Sequence, residues 1–141
     1  MPTAPLLPVS CAVIRRGRHL LLVQRPLHKA DALKWEFPGG KLEPGETPAQ
    51  CVLREIEEEL KVTITLRGYL TPVMRLLLDG TYVRLYPFLA VLMEGEVDLQ
   101  EHLDSRWVTC EEAALLDLCE GDRPILALLQ EAELEATDWF T

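Results

Sequence analysis

A chain of 141 residues, 48% hydrophobic and 26% charged, is long enough to bury a core of its own and reads as one domain over residues 1–141. Its net charge of −9 excludes a general nucleic-acid binder, which needs a basic footprint. No apolar run is long enough to cross a bilayer, and Met1 to Pro8 lacks the basic start and apolar stretch of a signal peptide, so a cytoplasmic location is expected.

Ser10 to Ile14 and His19 to Val23 are short apolar runs around Arg16-Gly17-Arg18, the pattern of a β-hairpin. Pro26 to Lys34 reads as a polar loop. Trp35-Glu36-Phe37-Pro38 reads as a short strand that Pro38 and Gly39-Gly40 stop. Thr47 is suited to cap a helix and Pro48 to open it, with Leu60 or Lys61 as its end. Val62 to Thr65 is β-branched and returns the chain to strand. Residues 69–78 and 82–92 flank Asp79-Gly80 as the arms of a second hairpin, and Pro87 predicts an edge position or a bulge in its second arm. Arg106 to Val108 is a short strand, and Thr109-Cys110-Glu111-Glu112 resembles a capping box. Asp122-Arg123-Pro124 opens a last helix in which Ile125, Leu128 and Leu129 recur at helical spacing. Strands, helix, strands and helices in this order predict an α/β (α+β) fold, one mixed sheet with helices packed on it.

The bases are concentrated early. Residues 15–41 hold seven (Arg15, Arg16, Arg18, Arg25, Lys29, Lys34, Lys41) against two acids, and the rest of the chain holds seven against twenty-one. That asymmetry suits an anionic small molecule held jointly with metal ions, with Arg15, Arg16 and Arg18 read as solvated surface. Cys11, Cys51, Cys110 and Cys119 have no metal-type spacing and are expected as buried or half-buried thiols.

The segment from Gly39 to Val62 is the most informative. With Arg54 at zero on a helical wheel, Glu55, Glu58 and Glu59 fall at roughly 100°, 40° and 140°, on one flank. Val52, Leu53, Ile56 and Leu60 occupy a second flank, facing a core. Like charges at this spacing repel, so the ridge calls for compensation. Hard divalent cations prefer carboxylate oxygens, whereas a merely solvated acidic face needs none.

Gly40, Glu46 and the run Arg54-Glu55-Ile56-Glu57-Glu58-Glu59-Leu60-Lys61-Val62 decide between the two. They resemble the signature of the Nudix hydrolase family, Gly-x5-Glu-x7-Arg-Glu-U-x-Glu-Glu-x-Gly-U with U apolar, at eight of nine specified positions. The departure is Lys61, where the family usually has a helix-ending Gly. The resemblance implies the Nudix fold, a mixed sheet sandwiched between helices. It implies Mg²⁺, with Mn²⁺ as a substitute, bound by Glu58, Glu59, Glu55 and the Gly39 carbonyl. Glu46 would act through the water network of the metal, and Arg54 would orient the glutamates.

Val23-Gln24-Arg25-Pro26 and Trp35 to Glu43 extend the likeness to the MutT branch, which includes 8-oxo-dGTP diphosphatases and CTP pyrophosphohydrolases. In that branch, residues matching Arg25 and Lys41 approach the substrate phosphates. Glu101 matches a loop glutamate that serves as metal ligand or base, and Asp122 a residue that reads the base edge, although Asp before Arg-Pro is also a good helix cap. His28 and His102 are not needed by the scheme. The reaction implied is cleavage of a nucleoside triphosphate to monophosphate and pyrophosphate, in the service of nucleotide-pool sanitising and DNA repair, with Glu55 or Glu101 as base. The alternatives are another nucleoside diphosphate-X substrate (a nucleotide sugar, dinucleoside polyphosphate or ADP-ribose) and a non-catalytic nucleotide-binding module. No nucleic-acid polymer or membrane partner is expected, and the protein would be a monomer or homodimer.

Overall fold

The computed structural model describes residues 5–131. Strand β1 (Leu6–Arg16) turns at Gly17, which takes the left-handed conformation that favours glycine, into β2 (His19–Gln24). Then come β3 (Trp35–Glu36), β4 (Gly39–Lys41), α1 (Pro48–Leu60), β5 (Thr63–Tyr69), β6 (Val73–Leu76) and β7 (Tyr82–Glu94). Strand β8 (Asp104–Val108), α2 (Cys110–Leu115), a 3-10 turn at Glu120–Asp122 and α3 (Arg123–Glu131) follow.

The sheet runs β3-β2-β1-β7-β5, with β4 also on β1, β6 on β7 and β8 on β2. β1 and β7 are parallel from Leu6 opposite Tyr82 to Arg15 opposite Val91, and the other ladders are antiparallel. This is the mixed sheet that the element order predicts. Successive β1 side chains point to opposite faces. Ala12 and Ile14 pack with Val52, Ile56 and Leu60 of α1, whereas Cys11 and Val13 pack with Ile125, Leu126 and Leu129 of α3. Helices therefore cover both faces. No described helix is long and apolar enough to cross a membrane.

Helix α1 is the element that carries the acidic ridge, and both of its ends are defined. Thr47 Oγ1 accepts from the Gln50 amide while the Gln50 side chain accepts from the Thr47 amide, a reciprocal cap that stabilises the start by about 1 kcal/mol. Val52, Ile56 and Leu60 are fully buried, so truncating Ile56 to Ala would cost about 2–5 kcal/mol. Lys61 ends the helix in the left-handed conformation (φ 57°, ψ 35°), its amide bonded to the Glu57 carbonyl at 3.0 Å. The lysine has thus kept the geometry of the glycine it replaces.

Three expectations need correction. Pro87 lies at neither an edge nor a bulge: β7 is interior, and Pro87 pairs in register with Cys11 of β1. Its carbonyl accepts from Leu70, so the side of the strand where it lacks an N–H faces the gap in which β5 ends and β6 has not begun. No ladder bond is lost there. The first arm of that hairpin is consequently broken, and only Val73–Leu76 pairs with β7 across the Asp79-Gly80 turn. Arg15 is not solvated surface. It is buried, with its Nε donating to the Gly17 carbonyl, while Arg16 stacks 4.3 Å over the Trp107 ring. The four cysteines are buried, as expected.

Candidate active site

Where β4, α1 and the loop before β8 converge, a cleft of about 700 Å³ opens. Its lining includes Arg25, Lys41, Gly39, Glu55, Glu59, Glu101 and Asp122 from the sequence reading. Glu46, Arg54 and Glu58 stand behind or beside it. Close approaches demand both glycines of β4, Gly39 against β1 and Gly40 against α1. A Cβ on Gly39 would meet the Ser10 carbonyl oxygen at 2.0 Å, and one on Gly40 would meet the Glu55 carboxyl carbon at 2.3 Å. Glu55 is thus pressed against bare backbone.

Arg54 is the hub of the acidic ridge. Its Nε and Nη2 hold the two Glu46 oxygens at 2.7 and 2.9 Å, and Nη1 reaches Glu55 at 2.9 Å and Glu58 at 3.2 Å. Nη2 also donates to the Lys41 carbonyl at 3.2 Å, tying helix to strand. Glu46 accepts from the Glu43 amide as well. The Arg54 hydrogen bonds, helped by that amide, hold the Glu46 carboxyl down at about 2. Glu46 is therefore fully occupied with Arg54, and Glu58 is held by the same guanidinium at the exposed rim with its side chain 60% accessible.

Glu59 has the opposite environment. One of its oxygens is buried without a hydrogen-bond partner. Burial, reinforced by the neighbouring Glu55 carboxylate, pushes its carboxyl far above the usual range. Two crowded carboxylates with an orphaned oxygen form a site short of positive charge. Glu101 lies across the cleft, paired with Lys29 at 3.1 Å and His28 at 3.4 Å. Its loop is docked on the end of α1 by Gln100 N–H to the Glu59 carbonyl and Asp98 N–H to the Leu60 carbonyl.

The other end of the cleft is more apolar, with Phe37, Val73 and Leu85 beside Asp122. Asp122 is not a simple helix cap. The 3-10 turn runs straight into α3, and Asp122 Oδ1 instead accepts from the Phe37 amide at 3.3 Å. Burial, then the nearby Glu36 charge, raises its carboxyl well above the ordinary value. Glu36, Cys119 and Asp122 bring donor atoms within 4.8 Å of one another. Glu36 is already taken by Arg25 at 3.1 Å and His102 Nε2 at 3.1 Å, and burial pushes the Cys119 thiol up to about 12. Burial keeps the protons on Asp122 and Cys119 while Glu36 is engaged by its two basic partners, so the trio is not a second cation site. Sequence reasoning missed Glu36, His102 and Arg75 as parts of this wall. They come from separate strands and loops and share no local pattern, so only the fold brings them together.

The match to known proteins follows the same boundaries. The NUDIX domain model covers residues 5–129 of the chain. The chain belongs to the Nudix hydrolase family. This member is 34% identical over 121 residues to the CTP pyrophosphohydrolase of Escherichia coli K12, an alignment spanning 86% of this chain and 89% of that one. It is 30% identical over 125 residues to the 8-oxo-dGTP diphosphatase of the same organism, spanning 88% and 96%. Among solved structures, the MutT protein of Methanosarcina mazei Go1 superposes with a TM-score of 0.83 at 26% identity, covering 94% of this chain and 99% of that one. As a Nudix hydrolase the protein is an enzyme acting on phosphoric anhydride bonds. The mixed sheet between helices is the family fold that its signature implies.

Proposed function

We propose that this Nudix hydrolase is a Mg²⁺-dependent nucleoside triphosphate pyrophosphohydrolase of the nucleotide-pool sanitising kind, releasing a nucleoside monophosphate and pyrophosphate. The observation that carries the reading is a single cleft with Glu55 and the unpartnered Glu59 oxygen at one end and Asp122 at the other. Crowded carboxylate oxygens are the donors a hard cation takes, so these residues fit the metal. Glu55, Glu58, Glu59, Glu101 and the Gly39 carbonyl would hold it. When bound, Mg²⁺, or Mn²⁺ in its place, supplies Lewis acidity toward the phosphate oxygens and water.

The protein's own residues do the rest. Glu55 or Glu101 takes the proton of the attacking water, both lining the cleft. Arg54 and Glu46 act through Glu55 and Glu58 and touch no substrate themselves. Arg25, braced by Glu36 and the Ala30 carbonyl, and Lys41 offer fixed positive charge to the phosphates. Asp122 meets the base edge. As a carboxylate it accepts from an exocyclic amino group such as N4 of cytosine, and when protonated it also donates. Cytosine-type and oxidised-guanine nucleotides are therefore the first candidates. Such an enzyme acts in the cytoplasm on free nucleotides, as a monomer or homodimer, without a nucleic-acid polymer or membrane.

The test is a screen of purified protein with Mg²⁺ against canonical and damaged nucleoside triphosphates, with products separated by chromatography. Monophosphate plus pyrophosphate from one or two substrates is the expected result and names the base. Survival of every triphosphate while a nucleotide sugar or dinucleotide is cut would overturn the substrate class.

A further inference from the structure

We propose that Lys29 is a phosphate-contacting residue of the cleft that rests on Glu101 until a divalent cation replaces it there, an inference that rests on the nucleotide and metal readings above. Lys29 lines the cleft, and its Nζ lies 3.1 Å from Glu101 Oε1. His28 reaches the same oxygen at 3.4 Å, but it is more exposed and does not line the cleft. The Lys29 charge also bears on Glu59, where it opposes the upward push of burial. One ammonium thus stands among the carboxylates suited to a cation.

The loop between β2 and β3 sets where this ammonium is rooted. The Arg25 amide donates to the Lys34 carbonyl at 2.9 Å, and the Leu33 amide donates to the Arg25 carbonyl at 3.0 Å. Arg25 Nε donates to the carbonyl of Ala30, the residue after Lys29, at 2.6 Å. Asp31 and Leu33 are kept in the left-handed region (φ 55° and 68°), which residues with side chains adopt only where surrounding contacts hold them. Lys29 is therefore rooted beside Arg25 on a backbone of set shape, while its four-carbon stem, about half exposed, stays free to swing. Two cations on one carboxylate oxygen repel, so Lys29 leaves Glu101 when a metal ion is held there. Its next anion is the substrate phosphate that Arg25 faces in the same cleft.

The test sets Lys29→Met and Lys29→Arg beside the wild type in two measurements. Mn²⁺ binding to the nucleotide-free protein is titrated by electron paramagnetic resonance, which counts the free ion and needs no turnover. Lys29→Met should bind its tightest Mn²⁺ about twofold to fivefold more strongly than the wild type, the range for an ion pair this exposed. On a Glu101→Gln background most of that gain should vanish. Steady-state kinetics at saturating Mg²⁺ should move the other way. In Lys29→Met, KM for the triphosphate rises about tenfold while kcat changes by less than about threefold, and Lys29→Arg restores the KM. A residue that merely supported the loop would weaken metal and substrate binding together. Unchanged or weaker Mn²⁺ binding in Lys29→Met, a gain equal in both backgrounds, or an unchanged KM would overturn the assignment, and the nucleotide reading stands as long as the wild type cuts triphosphates. A wild type that cuts no nucleotide overturns that reading and the phosphate contact with it.

Discussion

Arg54 holds three carboxylates at once because a guanidinium presents several N–H groups in a fixed fork. A lysine there keeps the charge and loses the fork. Arg54→Lys should lower kcat by about 10- to 100-fold with little change in KM, the usual effect of misaligning ligands from behind, checked by steady-state kinetics. Asp122 supports a second prediction, about pH. Its folded carboxyl titrates well above the unfolded value of 3.8, so the folded state holds a proton that the unfolded state has already released. The stabilisation is complete below that unfolded value and is lost as pH rises from there toward the folded one. Asp122→Asn should therefore melt higher than the wild type near neutral pH, with the gap closing at acid pH, followed by thermal denaturation across pH. The acidic ridge was legible because Arg54, Glu55, Glu58 and Glu59 sit on one helix whose geometry is known in advance. The Arg25–Glu36–His102 chain was not, because its members come from the loop after β2, from β3 and from the loop before β8, which only tertiary structure aligns.

At the scale of elements, α1 was readable at its start and ambiguous at its end. The Thr47-Pro48 pair states its cap in local side-chain chemistry, whereas Lys61 gives no local sign that its backbone will turn left-handed. Tertiary packing imposes that conformation, with Leu60 and Val62 both buried on either side of it. Replacing Lys61 with Gly removes the steric cost of a Cβ there and should stabilise the protein by about 1 kcal/mol, measured as a shift of the urea midpoint at unchanged activity. Pro87 teaches the converse. A proline inside a strand argues for an edge only when a neighbour needs its N–H, and the handover from β5 to β6 removes that need. Nothing in the residues around Pro87 could have revealed where the opposite strands would stop.

The whole molecule balances a well-buried core on both faces of its sheet against a cleft whose carboxylates repel. Added Mg²⁺ should raise the melting temperature, since a cation that binds only the folded form stabilises it by mass action. Glu59→Gln should abolish that rise and also melt higher than the wild type without metal near neutral pH, because a neutral amide removes the cost of burying an ionisable carboxyl beside Glu55. Differential scanning calorimetry with and without the cation checks both, and a Glu59→Gln protein that still gains stability from Mg²⁺ would contradict the arrangement. The central ladder has a further consequence, in time and not in space. β1 lies near the start of the chain and its parallel partner β7 well beyond the middle, in register from Leu6 opposite Tyr82. A growing chain on the ribosome therefore completes β1, β4 and the acidic helix that packs on them well before β7 exists. The cleft is complete only once synthesis has passed Asp122, and until β7 emerges one edge of β1 lacks its parallel partner although β2, β4 and α1 are already made, a window in which premature release or a chaperone's grip can act on the chain.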